Sequence, residues 1–226
     1  MVSRLVTPRP FQLDASGDWL VASFAHPCAV LSWAIVNGGW QQTTQVAWLY
    51  LKPNELAGVA DPAEWLQSRM HARGLAGAVG LMTSRRLHAW IETDACDADC
   101  DAWAVATVGL SNALRVGDPS GLPAPVGTVN LLVYVSKPLS SEAALELLCL
   151  VSEAKALAAV ESGVPSRRSG LPSTGTGTDY LAIAWPLSGE REIYSGKHTA
   201  LGAAAGRAAF TAIRDGIRQW VAEQHV

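Results

Sequence analysis

The sequence predicts an α+β fold: one domain over residues 1–226, with a mixed or largely antiparallel sheet packed against two long helices. Short apolar runs rich in Val, Ile, Leu and Trp arrive in groups rather than alternating one by one with helices, which argues against a doubly wound parallel sheet. Two long segments, one after Pro138 and one after His198, carry helical periodicity behind a Ser or Thr that can cap them. With 49% hydrophobic and 16% charged residues, the chain can bury a sizeable core and is not disordered.

Along the chain, "FQLDAS", "DWLVASF", "VLSWAIVNGG" and "QVAWLYLK" read as strands separated by Gly, Asn and Pro. "DPAEWLQSRMHARG" reads as a helix with Asp61 at the N-cap, Pro62 at the first helical position and Gly74 at its end. "GAVGLMTS", "LHAWIETD", "AWAVATVGLS" and "VGTVNLLVYVS" read as further strands, with a loop over Pro119 to Pro125 between the last two. Ser140 or Ser141 can cap a long helix to about Glu161. "SGVPSRRSGLPSTGTG" is a loop, "DYLAIAWP" and "REIYSG" are strands, and a last helix runs from Thr199 to about Glu223.

At about 100° per residue, Glu142, Glu146 and Glu153 fall on one stripe of the first long helix. Ala144, Leu148, Val151 and Ala159 occupy the opposite side, with Lys155 in their midst. A lysine there either snorkels along its stem to the edge of the sheet or meets a buried carboxylate. On the last helix, Gly202, Gly206, Ala209, Ile213, Ile217 and Trp220 share a side, so its first half can approach a neighbour closely.

A net charge of -3 and a pI near 5.9 offer nothing to nucleic acid or an anionic membrane. The opening "MVSRLVTPRP" lacks the apolar stretch of a signal peptide, and no window reads as a membrane span. A cytoplasmic protein is expected, with its four cysteines as thiols.

Candidate chemistry concentrates in "PSTGTGTDYLAIAWP". Gly175 and Gly177 let a ligand approach the main chain; Thr174, Thr176 and Thr178 supply hydroxyls; Asp179 stands at the start of a strand. Exposed N–H groups of such a loop could hold an anion or a developing oxyanion, although a mobile surface loop has the same composition. "DACDADCD" has neither zinc nor EF-hand spacing and reads as a polar turn between two strands. No metal site is expected. Of the histidines, His26, His71, His88 and His225 suggest no site, whereas His198, beside Lys197 and just before a helix, is a candidate base or donor. G-x-S-x-G, H-E-x-x-H, Walker A and post-strand G-x-G-x-x-G motifs are absent. Nine tryptophans suit a large flat ligand or simply a packed core.

"VLSWAIVNGG", "AVGLMTS", "ATVGLSNALRVGD", "GTVNLLVYVSKPLS", "SEAKALAAVESGVPS", "TGTGTDYLAIAWP" and "YSGKHTALGAAAGRA" occur in an order that resembles the adenosylcobinamide amidohydrolase family, corrinoid remodelling enzymes. The similarity runs from about Val30 to about Phe210, and "TGTGTD" followed by "SGKHTALG" is its most specific pair. The resemblance implies cleavage of the amide joining aminopropanol to a corrin propionate, giving adenosylcobyric acid and 1-aminopropan-2-ol. It implies no cofactor, since cobalt travels with the corrinoid substrate, and no nucleic-acid or membrane partner; a homo-oligomer is allowed. Glu153 and Lys155 match the family's "EAK" segment. Expected catalytic residues are Asp179, activating water or the hydroxyl of Thr176 or Thr178, and His198 or Lys155, protonating the leaving amine. Gly175, Gly177 and Asn130 are expected at the oxyanion, and Asn37, Asn112 and Glu153 at the substrate. A non-catalytic corrinoid-binding protein is the alternative.

Overall fold

A computed structural model describes residues 7–121 and 127–224. Part of the expected 119–125 loop, His225 and the first six residues lie outside them. The elements are β1 (Phe11–Ser16), β2 (Trp19–Ser32), β3 (Gly39–Tyr50), α1 (Pro62–Ala72), β4 (Val79–Thr83), β5 (Ile91–Asp97), β6 (Cys100–Val108), β7 (Ala113–Leu114), β8 (Val129–Val135), α2 (Ser141–Glu161), β9 (Gly175–Thr176), β10 (Tyr180–Pro186) and α3 (Ala200–Glu223). The expected α+β architecture is present: eight strands form one sheet in the order β4-β3-β2-β10-β8-β6-β5, with β1 paired to β2. The sheet is mixed, because β3 with β4 and β8 with β10 run parallel while the other pairs are antiparallel.

Strand alternation sorts the core into two faces. Leu20, Phe24, Trp48, Leu81, Trp103, Leu132, Tyr134 and Ala182 point to one side and form a single cluster. Their strand neighbours Ala104, Val108, Leu131, Val133, Leu181 and Ile183 point to the other, beneath α2 and α3. Ala47, Leu49 and Met82 meet Leu66 and Met70 of α1. The sheet curls around the first cluster, and the helices cover its outer face. Asn130 at the start of β8 donates from Nδ2 to the Met82 carbonyl of β4 at 2.7 Å, although three strands separate them along the sheet.

Helix boundaries follow their caps. Asp61 accepts from Ala63 and Glu64 N–H, Ser140 from Ala143 N–H and Thr199 from Gly202 N–H, so each satisfies donors that the first turn leaves open. Gly202 permits α3 to start against the 195–196 backbone: a Cβ there would stand 2.2 Å from the Gly196 carbonyl oxygen. No helix among the described residues is long and apolar enough to cross a membrane.

Three strand expectations change. "DWLVASF" and the start of "VLSWAIVNGG" are one strand, β2, whose register shifts between Ser23 and Cys28, where Pro27 removes a ladder donor. "LHAWIETD" begins as a single 3-10 turn over Leu87–Ala89 before β5. "REIYSG" is not a strand. Glu192 bridges Leu139, and Ser195 is consumed by α2: its N–H donates to Glu146 Oε2 at 2.7 Å and its hydroxyl to the Ala143 carbonyl at 2.6 Å. The polar turn expected in "DACDADCD" joins β5 to β6, with Ala98 at φ 45° and Asp99 paired with Lys137. None of the four cysteines is in a disulfide, and burial pushes the Cys100 thiol up to about 11.

Candidate active site

The glycine–threonine loop is held in place by short-range bonding. Gly175 and Thr176 form β9 and pair with Ala113 and Leu114 of β7, making a two-stranded ribbon separate from the main sheet. Thr174 N–H donates to the Leu114 carbonyl at 2.9 Å, and the Thr174 hydroxyl accepts from Val116 N–H. The Thr178 hydroxyl donates to the Gly127 carbonyl at 3.0 Å, and the Thr128 hydroxyl donates to the Thr178 carbonyl. Thr174 and Thr178 thus spend their hydroxyls on the scaffold.

Asp179 gathers the rest. Its position just before β10 gives it the strand parity of Leu181 and Ile183, whose side chains lie beneath α2 and α3. From α2, Lys155 reaches its Oδ2 at 2.5 Å. The Thr176 hydroxyl donates to Oδ1 at 2.6 Å, Thr176 N–H lies 3.1 Å from both oxygens, and Val129 N–H reaches Oδ1 at 3.3 Å. The side chains of Lys155 and Asp179 are only 12% and 9% exposed. Of the two sequence readings of Lys155, the buried carboxylate is the one found. Charge-assisted bonds of this kind fix the carboxylate's orientation.

Gly175 makes the convergence possible. Its φ is +153°, and a Cβ there would lie 2.1 Å from Asp179 Oδ2 and 2.6 Å from Lys155 Nζ. Gly175→Ala should therefore displace the ion pair and cut turnover by about 10²-fold or more, the scale on which small misplacements of reacting groups act. Steady-state kinetics beside a circular-dichroism melt check it, the melt separating misplacement from unfolding.

The other candidates divide. Asn112 is buried next to the loop: its Nδ2 lies 3.7 Å from the position of a Gly177 Cβ, and its Oδ1 has no partner among the described residues. Asn130 is fully buried, donating to Met82 and facing the Thr128 hydroxyl at 3.1 Å. Asn37, at φ 53°, spends its amide on the carbonyls of Ala76 and Ala78. Glu153 is exposed and paired with Lys197 at 2.6 Å. His198 is exposed, with its ring beside Gly196, which in turn lies against Glu146. Glu146 is nine residues before Lys155 on α2, about 13 Å along the axis at 1.5 Å per residue. Among the described residues no group of His, Cys, Asp and Glu could hold a metal ion.

Trp33 escaped the sequence reading. Its indole N–H donates to the Asp179 carbonyl at 2.7 Å. Only the pairing of Ser32 with Ala182 brings this tryptophan beside the start of β10, and no local pattern announces that pairing. Burial raises the pKa of the neighbouring Tyr180, which keeps its phenol neutral.

Curled sheet and outer helices define an α+β domain in which a hydroxyl, a carboxylate and an ammonium converge at one strand start. The chain belongs to the adenosylcobinamide amidohydrolase family, which matches residues 6–225. It is 37% identical over 125 residues to an adenosylcobinamide amidohydrolase of Halobacterium salinarum; the match covers 52% of this chain and 51% of that protein, so the chain spans about half the length of the curated relative. Among solved structures it is similar to a Burkholderia sp. beta-aminopeptidase (14% identity, TM-score 0.46, covering 92% of this chain and 82% of that one). It is also similar to the L-aminopeptidase D-Ala-esterase/amidase of Ochrobactrum anthropi (11% identity, TM-score 0.43, covering 92% and 83%).

Proposed function

We propose that this protein hydrolyses the amide between aminopropanol and the corrin propionate of adenosylcobinamide, giving adenosylcobyric acid and 1-aminopropan-2-ol in corrinoid salvage. Family membership supports the substrate class, and one observation carries the chemistry: Lys155 and Thr176 bonded to opposite oxygens of the secluded Asp179 carboxylate.

Amide hydrolysis requires an activated nucleophile, donors for the carbonyl oxygen and an acid for the leaving nitrogen. Asp179 Oδ1 takes the proton of the Thr176 hydroxyl, or of a water in its place, as the new C–O bond forms. The Gly177 N–H and the amide of Asn112 serve the oxyanion, since Thr176 N–H is committed to Asp179 and Thr178 N–H to the Thr176 hydroxyl. Asn130 supports this region from below, its amide being engaged with Met82. Lys155 gives a proton to the departing amine and regains one from Asp179, 2.5 Å away. With Thr176 as nucleophile, a water then cleaves the resulting ester by the same exchange. Proton transfer here does not require His198 or Glu153, which are exposed at the surface. Cobalt remains with the substrate, and no step passes through it.

The test is mass spectrometry of the purified protein incubated with adenosylcobinamide in the dark, with a chelator-treated sample alongside. Adenosylcobyric acid and free aminopropanol are the expected products. Unchanged substrate that co-elutes with the protein would replace the reading with a corrinoid binder.

A further inference from the structure

Helices cover the outer face of the sheet unevenly. α2 and α3 lie over β5, β6, β8 and β10, and α1 packs against β4 and the Trp19 end of β2. Between them, two large aromatic side chains remain open: Trp33 is 43% exposed and Trp40 51%. Trp40 stands opposite Leu31 across the β2–β3 ladder, and Trp33 follows Leu31 by two residues, so alternation directs both rings to the face from which Lys155 approaches Asp179.

Neither ring is loosely placed. Trp33 is anchored by its indole N–H to the Asp179 carbonyl at 2.7 Å, which commits its polar atom and leaves ring surface to solvent. Trp40 packs edge-to-face on the buried Trp185, with centroids 6.1 Å apart and planes at 88°. Exposed tryptophans with fixed orientations supply broad apolar area at little further entropic cost on binding. Trp33 is tied to the candidate centre by that hydrogen bond, and Trp40 is its diagonal neighbour across the β2–β3 ladder.

We infer that Trp33 and Trp40 form the platform on which the flat macrocycle of the substrate rests, with Trp33 setting the reach from ring face to the Asp179 carboxylate. This rests on the amidohydrolase reading for the identity of the macrocycle. The platform accounts for how a small acid–base centre selects a large ring-borne amide: the ring face is bound away from the reacting bond, and its periphery is delivered to Asp179. Binding energy gained remotely then orients the amide.

Equilibrium dialysis of adenosylcobinamide in the dark tests this, using Asp179→Asn as the non-turning-over background. Adding Trp40→Ala should weaken binding about tenfold, the loss expected for one stacking aromatic, while Trp40→Phe should recover most of it. Trp65→Phe, on α1 beneath Arg69 and away from Asp179, is the control and should bind like the background. Steady-state kinetics of Trp40→Ala in the wild-type background should show the effect mainly in KM.

Equal affinity in the Trp40→Ala and background proteins would overturn the platform even if wild-type protein hydrolyses the substrate. Binding that is lost with Trp40 in a protein without hydrolysis would uphold the platform and remove the amidohydrolase reading. Loss of self-association in Trp40→Ala without loss of ligand affinity would assign the patch to a second copy of the chain and overturn the proposal.

Discussion

Asp179→Asn should lower kcat by about 10³-fold, within the range that general-base groups contribute, while the protein still folds. Asparagine matches aspartate in size, so the turn before β10 survives. Its oxygen can still accept from Lys155 and Thr176 N–H, and its NH₂ can donate to the Thr176 hydroxyl once that hydroxyl reverses, while Val129 N–H loses its acceptor and Lys155 its counter-charge. What disappears is the site that receives a proton from the nucleophile. A loss of this kind acts in the transition state, so it appears in kcat and kcat/KM together and leaves KM nearly unchanged. Companion variants decide which atom attacks. Thr176→Val should match Asp179→Asn if the Thr176 oxygen forms the bond to carbon, and Thr176→Ser should retain much of the activity. If water attacks instead, Thr176→Val should cost only about tenfold, as loss of one positioning hydrogen bond. Intact-mass spectra of quenched reactions supply the second criterion: a covalent acyl adduct at Thr176 requires the first route. An Asp179→Asn protein with wild-type turnover would remove this carboxylate from the chemistry.

Most of the scaffold was legible because its signals are local. Asp61-Pro62, Ser140 and Thr199 cap helices within a residue of the expected starts, and apolar alternation locates the principal strands. Lys155 was legible as an anomaly, one cation on an apolar helical stripe, and Asp179 as one carboxylate at the edge of an apolar strand. Their meeting was not legible, since it depends on α2 crossing the start of β10, a contact between residues 24 apart in sequence. Trp33 was hidden for the same reason over a separation of 146. "REIYSG" misled because adjacent Ile and Tyr have high strand propensity, whereas Ile193 and Tyr194 are exposed and Ser195 serves the first turn of α2. Glu153 and Lys155 show the limit of matching segments: two residues of one short motif, yet one faces Asp179 and the other pairs with Lys197 at the surface.

Lys155→Met should strongly destabilise the centre, and its partner variant reveals why. Methionine keeps the length and apolar stem of lysine but removes the ammonium, leaving the Asp179 carboxylate secluded without its counter-charge. Breaking a buried ion pair from one side costs about 3–5 kcal/mol, and the Thr176 and Val129 donors that remain place this site near about 3 kcal/mol. For a chain of this size that is roughly a 10 °C fall in Tm. Replacing both partners, Lys155→Met with Asp179→Asn, removes the stranded charge and keeps an amide oxygen for the Thr176 N–H, so the double variant should recover much of the lost stability. Activity should not follow: both variants lack the proton donor for the leaving amine, and the double lacks the base as well. Calorimetric melts of the wild type, both singles and the double, read beside turnover of adenosylcobinamide, make the comparison. Stability that returns while catalysis stays absent would mean that the Lys155–Asp179 pair is kept for its chemistry, since an uncharged pair would hold α2 to β10 as well. Failure of the double to recover would make the ion pair a structural clamp, and its presence alone would then be no argument for catalysis.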